Sequence, residues 1–173
     1  MPIKISFEEM KQIIEKALYL LYSKDSYILD RRLKEECINH RLAKHLESIF
    51  PFERYRESQD SHHLNLTVDL EYNKMGDDDK ATQYEDYGSD KHIRPDIIIH
   101  SRGNNFRNIL AIEAKKSYVN LYDKYKINKL MSNPYNYQYG CTISYLIDKD
   151  YFIYTLFSAD RTEKSKLHKR YIY

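Results

Sequence analysis

The apolar positions of the chain change period along its length, and those changes divide it into elements. Phe7, Met10, Ile14, Leu18 and Leu21 recur at helical intervals, and Ser6 with Glu9 has the spacing of a capping box. This predicts a first amphipathic helix over residues 6–22. A second is expected from Asp30, as its N-cap, to Phe50, with Pro51 ending it. The period then falls to two. Leu64, Leu66, Val68, Leu70 and Tyr72 alternate with Asn65, Thr67, Asp69 and Glu71, as in a half-buried strand.

Residues 73–94 carry no period. The stretch is polar, acidic and contains two glycines, and it is expected to be a long mobile loop, a feature often tied to function. Asp77, Asp78 and Asp79 within it read as solvated acids rather than a cation site, because nothing there fixes a ligand geometry. Two apolar runs follow, Asp96 to His100 and Ile109 to Ala114, joined by SRGNNFRN with its turn-forming glycine and asparagines. A helix over 119–131, closed by Asn133-Pro134, and strands around 141–147 and 151–157 complete the pattern. The basic tail, 161–173, is compatible with strand, short helix or extended chain. No repeat or domain boundary interrupts the sequence, so residues 1–173 are expected to form a single α/β domain.

Composition narrows the class. The chain has 173 residues, 42% hydrophobic and 31% charged, which is enough for one ordinary globular core. No apolar run reaches the roughly 18 residues of a membrane-spanning helix. Met1 to Glu9 turns acidic without a leader-like apolar segment. A cytoplasmic chain with no membrane partner is therefore expected. Cys37 and Cys141 lack metal-type spacing and read as buried free thiols in a reducing compartment. A net charge of +2 does not by itself argue for nucleic acid. Eighteen tyrosines and no tryptophan are unusual. Tyrosine stacks on bases, but core and surface filling accounts for most of them.

The candidate chemistry sits at the ends of two strands. Asp96 opens one strand directly after Pro95. On the next, Ala111, Glu113 and Lys115 share a face, opposite Leu110, Ile112 and Ala114. If the two runs form a hairpin, Asp96 and Glu113 stand near the same level of the sheet. Phosphodiester hydrolysis needs such a set. A divalent cation offsets charge on the phosphate and acidifies a water, and Mg²⁺ takes one or two carboxylates as ligands. A neighbouring lysine can orient or deprotonate that water, or stabilise the anion. The plain alternative is a surface ion pair of Glu113 with Lys115 or Lys116, with Asp96 merely starting a strand.

Glu35 adds to the set. Ile38, Leu42, Leu46 and Ile49 occupy one sector of the second helix, and Glu35 points into that sector while Glu36 points away. A carboxylate on a core stripe is costly unless paired or bound to a cation. An acid in the first turns also suits the helix dipole, and both explanations stand.

Pro95-Asp96, a 17-residue step and then Glu113-Ala114-Lys115 resembles the PD-(D/E)xK nuclease superfamily, the restriction-endonuclease-like fold. The stretches EECINHRLAKHLE, VDLEYN, RPDIIIHSRG and IEAKKS together resemble a group of small bacterial members without a defined role, over roughly residues 30 to 147. The resemblance implies a central mixed β-sheet flanked by helices, with two helices at the N-terminal end. It implies Asp96, Glu113 and Glu35 as ligands of Mg²⁺, with Mn²⁺ able to substitute, and Lys115 as the catalytic lysine. It places His40, Arg41, Asp69 and Glu71 near the site. Lys115, Lys116, Lys124, Lys126 and Lys129, with Tyr122 and Tyr125 among them, and Arg161, Lys164, Lys166, Lys169 and Arg170 are available to neutralise phosphates. Surface lysines among acids are equally common without a ligand. The expected function is a metal-dependent nuclease acting on nucleic acid, DNA more than RNA, with a homodimer admitted. The alternatives are a catalytically inactive nucleic-acid-binding or assembly module of the same fold, and an unrelated α/β protein with a coincidental motif.

Overall fold

The computed structural model describes residues 5–55, 66–72, 74–75, 78–79, 81–84, 89–102 and 107–169. Two helices lead: α1 (Phe7–Asp30) and α2 (Glu35–Ile49), followed by a short 3-10 turn at Phe52–Tyr55. Ser6 caps α1 by accepting from the Glu9 amide at 3.1 Å. Met10, Ile13, Ile14, Ala17, Leu18 and Leu21 form its buried stripe.

The first helix runs eight residues beyond its expected end at Tyr22, through a kink at Asp25 (φ −124°, ψ 23°). That residue is held by tertiary partners: its carboxylate accepts from Arg41 Nε at 2.8 Å and meets His45 Nε2 at 2.5 Å, both on α2. Burial pushes the Asp25 carboxyl up, but the His45 and Arg41 hydrogen bonds outweigh it and the pKa ends below the ordinary value. Asp30 therefore closes α1 instead of capping α2. The turn between the helices passes through Arg32 at φ 52°, and α2 begins after Lys34 with no side-chain cap. Arg41, expected near the site, is instead the clamp between the helices.

Six strands make the central sheet: β1 (Leu66–Leu70), β6 (Ile97–Ser101), β7 (Asn108–Lys115), β8 (Tyr139–Ser144), β9 (Tyr151–Phe157) and β10 (Thr162–His168), in the order β1-β6-β7-β8-β9-β10. All neighbours are antiparallel except β7 and β8, which are parallel and joined by α3 (Leu121–Met131). A parallel pair needs a crossover of this kind. The near-continuous burial of β7 and β8 follows from their central position with both faces covered. In the segment 73–94, expected as an aperiodic loop, the described residues carry two small antiparallel ladders. These pair β2 (Lys74–Met75) with β3 (Asp78–Asp79) and β4 (Ala81–Tyr84) with β5 (Ser89–His92). Backbone pairing needs no apolar alternation, so the composition did not announce them.

The sheet separates two cores. Ile97, Ile99, Leu110, Ile112, Ala114, Cys141 and Ile143 pack with α1 and α2. Ile98 and Ala111 pack on the other side with Ile127 and Leu130 of α3 and with Tyr135 and Tyr137. The protein is thus an α/β fold whose mixed sheet has two N-terminal helices on one face and α3 on the other. Cys141 is buried as expected, whereas Cys37 is exposed, because it projects from the outer side of α2. Among the described residues, no helix is long and apolar enough to cross a membrane.

Gly140 sets how closely α3 approaches the sheet. A Cβ there would stand 2.3 Å from Ile127 Cγ2 and 2.7 Å from Met131 Sδ. Gly140→Ala must lift the helix or strain both side chains, and it is expected to cost about 1–3 kcal/mol in chemical denaturation. Unchanged stability would mean that α3 rests loosely on the sheet.

Candidate active site

The hairpin of β6 and β7 decides the site. Ile97 pairs with Ile112, so Asp96, one residue before β6, falls opposite Glu113, and the Asp96 amide donates to the Ile112 carbonyl at 3.1 Å. The two carboxylates expected at one level of the sheet are at one level. Asp96 Oδ2 accepts from the Ala114 amide at 2.7 Å, which fixes its carboxylate against β7. Lys115, two residues beyond Glu113 on the same strand, lies on the same face.

Glu35 reaches the site from the first turn of α2. Its Oε1 accepts from Lys115 Nζ at 3.2 Å and its Oε2 from the Lys116 amide at 2.8 Å. The helix phase is the expected one: Glu35 is half-buried at the strand end while Glu36 is exposed. Behind them Tyr145 follows β8, fully buried, and donates from its hydroxyl to Asn39 Oδ1 at 2.7 Å. Its own amide donates to the Lys115 carbonyl at 2.8 Å. These bonds lock the end of β7 against α2.

Glu113 is the most unusual group in the protein. Its residue is 0% exposed in the middle of the sheet. The ammonium of Lys126, on α3, donates to its Oε2. Its Oε1 has no hydrogen-bond partner among the described residues, nor has Oγ1 of Thr142. The parallel register places Thr142 directly beside Glu113, so two unsatisfied buried oxygens belong to neighbouring positions of one face. Burial and the nearby Asp96 push the Glu113 carboxyl up to about 8, against the pull of Lys126. Burial likewise raises Asp96, against the Ala114 amide and the Lys115 and Lys126 charges. For Lys115, burial alone would lower the pKa, but Asp96 and the Glu35 hydrogen bond outweigh it and the ammonium is held above its ordinary value.

Two carboxylates at one level of the sheet, one with an oxygen that has no hydrogen-bond partner among the described residues, suit a hard cation. Among the described residues no group of three or more His, Cys, Asp or Glu is arranged to hold a metal. Glu35, expected as a third ligand, accepts from Lys115 and from the Lys116 amide. Asp96 and Glu113 are the residues that would hold such a cation.

Two participants escaped sequence reasoning as members of the site. Lys126 was expected only among the phosphate-neutralising cations, yet it lies on the buried side of α3 beside Asp123, Ile127 and Leu130. A charged side chain next to an apolar helical stripe was the available signal, the same one that singled out Glu35. Thr142 interrupts an apolar strand run, a weaker cue. The other flanking expectations divide. Asp69 accepts from Arg102 and pairs with His100 Nε2 at 2.9 Å, a separate polar cluster on β1 and β6. Glu71 has φ 50° and lies 3.6 Å from Arg94. His40 is exposed on α2. In the basic tail, Lys169 is buried and donates to the carbonyls of Leu146 and Lys149, and Arg161 pairs with Glu8 and Glu163. Those two serve the fold. Arg170 and the side chains of Asp77, Asp78 and Asp79 lie outside the described residues.

The chain matches no model of a known protein family, no curated protein and no solved structure.

The raised Glu113 carboxyl fixes a pH dependence. Below about pH 4.5 the group carries its proton in both folded and unfolded chains. From there to about 8 the folded chain keeps a proton that the unfolded chain has lost, so rising pH favours unfolding. Asp25 and Asp69, held below the ordinary 3.8, act only at lower pH. In chelator, wild-type stability by urea melts should decline across this window, and Glu113→Gln should flatten most of the decline. Parallel curves for the two proteins would remove Glu113 as its source.

Proposed function

We propose that the protein is a metal-dependent nuclease that hydrolyses phosphodiester bonds of nucleic acid, DNA more than RNA, with a fold of the restriction-endonuclease type. One observation carries the reading: the β6–β7 register and the start of α2 bring Asp96, Glu113, Lys115 and Glu35 together at one end of β7. Asp96 and Glu113 would hold Mg²⁺ or Mn²⁺, which supplies charge to the phosphate and acidifies a water.

The remaining chemistry belongs to the chain. Hydrolysis forms a bond from water oxygen to phosphorus and breaks one to a sugar oxygen, gathering negative charge on the phosphoryl group. Lys115 stays an ammonium because Asp96 and Glu35 hold its proton, so it acts by stabilising that charge and not by removing a proton from water. Glu35 is a positioning residue. One of its oxygens directs the Lys115 ammonium, and the other is pinned to the Lys116 main chain.

A second reading has its own support. Lys126 already neutralises Glu113, and no three-ligand group is present among the described residues, as in a fold kept for binding after activity is lost. A metal-titrated cleavage assay on duplex, branched and single-stranded substrates separates the two. Lys115→Ala should fold normally and lose about two or more orders of magnitude in turnover, the usual scale for a charge-stabilising group. Lys116→Ala is the matched control, because among the described residues its ammonium donates only to the Arg32 carbonyl at 3.2 Å and its amide bond to Glu35 survives the change. Equal cleavage by the two variants would move the binding-module reading to first place.

Glu35→Gln tests the positioning role. It keeps the shape of the side chain but removes the charge that holds the Lys115 ammonium. Turnover is expected to fall roughly tenfold or more, since misplacing a charge-stabilising group forfeits part of its effect. The Lys115 pKa, read by lysine-selective NMR, should fall with it. Lowered turnover with an unmoved Lys115 pKa would assign Glu35 a different part.

A further inference from the structure

Within the metal-dependent reading, on which this inference rests, Lys126 has a position that phosphate neutralisation does not explain. Its ammonium is aimed inward, onto Glu113 Oε2, from a side chain only 13% exposed. A lysine recruited for a phosphate would present its charge to solvent. Lys126 spends its charge on a carboxylate that solvent does not reach.

The surroundings make the pairing incomplete. A lysine ammonium is a compact charge with three donors, and here it satisfies one oxygen of Glu113. The other oxygen, together with Thr142 Oγ1 beside it, remains without a hydrogen-bond partner among the described residues. Buried polar atoms are rarely left so, and each such case calls for an ion, a water or a functional demand. A divalent cation with several oxygen ligands would satisfy these atoms where one ammonium does not. A cation and an ammonium within reach of one carboxylate repel each other, so both cannot be held there at full strength.

We infer that Lys126 is a built-in competitor for the cation site: its ammonium holds Glu113 in the metal-free protein and leaves that carboxylate when the cation binds. The lysine stem is long and flexible enough for such a movement without displacing α3. The ring of Tyr122, one turn earlier on α3, lies 5.8 Å from Nζ and offers the departing charge an aromatic face. The device helps keep the sheet stable without metal, because a buried polar side chain left with no hydrogen-bond partner is strongly destabilising. Its consequence is weakened cation affinity, since binding must first break the Lys126–Glu113 pair.

The test uses the whole chain and Mn²⁺ or Mg²⁺ alone, without substrate. Lys126→Met keeps the stem and removes the charge. By calorimetric titration it should bind the cation at least tenfold more tightly than wild type. Its melting temperature in chelator should be lower than wild type, and its rise on adding cation larger. A readout on the wild-type protein covers the case in which Lys126→Met does not fold. Mass-spectrometric mapping of amine acylation should find Lys126 protected in chelator and reactive at saturating cation, with Lys124 as the internal reference. Cation binding by Lys126→Met but not by wild type would support the inference in its strongest form. Wild-type binding with equal or weaker affinity in Lys126→Met, or acylation of Lys126 indifferent to bound cation, overturns the inference and leaves the nuclease reading standing. Absence of cation binding in both proteins overturns the two together.

Discussion

A carboxylate sealed inside a β-sheet is the constraint to which the rest of this protein answers. Glu113 lies near the C-terminal end of β7, an inner strand of the sheet, where the flanking positions are apolar and the adjoining strand is parallel. Taking such a group out of water costs several kcal/mol unless opposite charge comes with it. The crossover supplies that charge. Because β7 and β8 are parallel, the chain must return over the sheet, and α3 makes that return across the face to which Glu113 points, carrying Lys126. Gly140 lets the helix sit close enough, since any side chain there would push against Ile127 and Met131. Topology, a glycine and an ion pair are three parts of one solution.

The same logic runs through the edges of the site. Asp96 is fixed by the Ala114 amide, Lys115 by Glu35, and Glu35 by the Lys116 amide, so each charged group has a backbone or ionic partner on another element. Partners on different elements fix the geometry of these groups. Tyr145 and Asn39 tie α2 to the end of β8 just behind. Elsewhere the chain uses buried polar clusters for architecture. Asp25 with Arg41 and His45 clamps the helix pair, and Asp69 with His100 and Arg102 joins β1 to β6. Those clusters are internally neutralised, with lowered aspartate pKa values. Asp96 and Glu113 have raised ones, because burial outweighs the hydrogen bonds and cations around them, with Asp96 adding to the rise of Glu113.

The local pattern of the chain was sufficient for much of this. Helical periodicity in Met10, Ile14, Leu18 and Leu21, alternation in Leu66 to Leu70, and the two apolar runs on either side of SRGNNFRN are properties of neighbouring residues, so the sequence alone specified two leading helices, the strands β1, β6, β7, β8 and β9 and an α/β class, but left the β10 segment open. Strand pleating put Glu113 and Lys115 on one face, and helix phase separated Glu35 from Glu36, both from fixed angular periods. What no local pattern carries is which element lies against which. The extension of α1 past Tyr22 depends on Arg41 and His45 reaching back from α2, and the backbone ladders at 74–92 need no side-chain signature. Lys126 stands 13 residues from Glu113 and becomes its partner only because a right-sized crossover folds over a parallel pair. Glu35 and Lys115 are 80 residues apart, and only the docking of α2 on the strand end turned a helix-stripe acid into the anchor of a lysine. The sequence determined which side chains share a strand or helix face. Tertiary structure alone decided their partners, because burial and charge pairing act between elements that are distant along the chain.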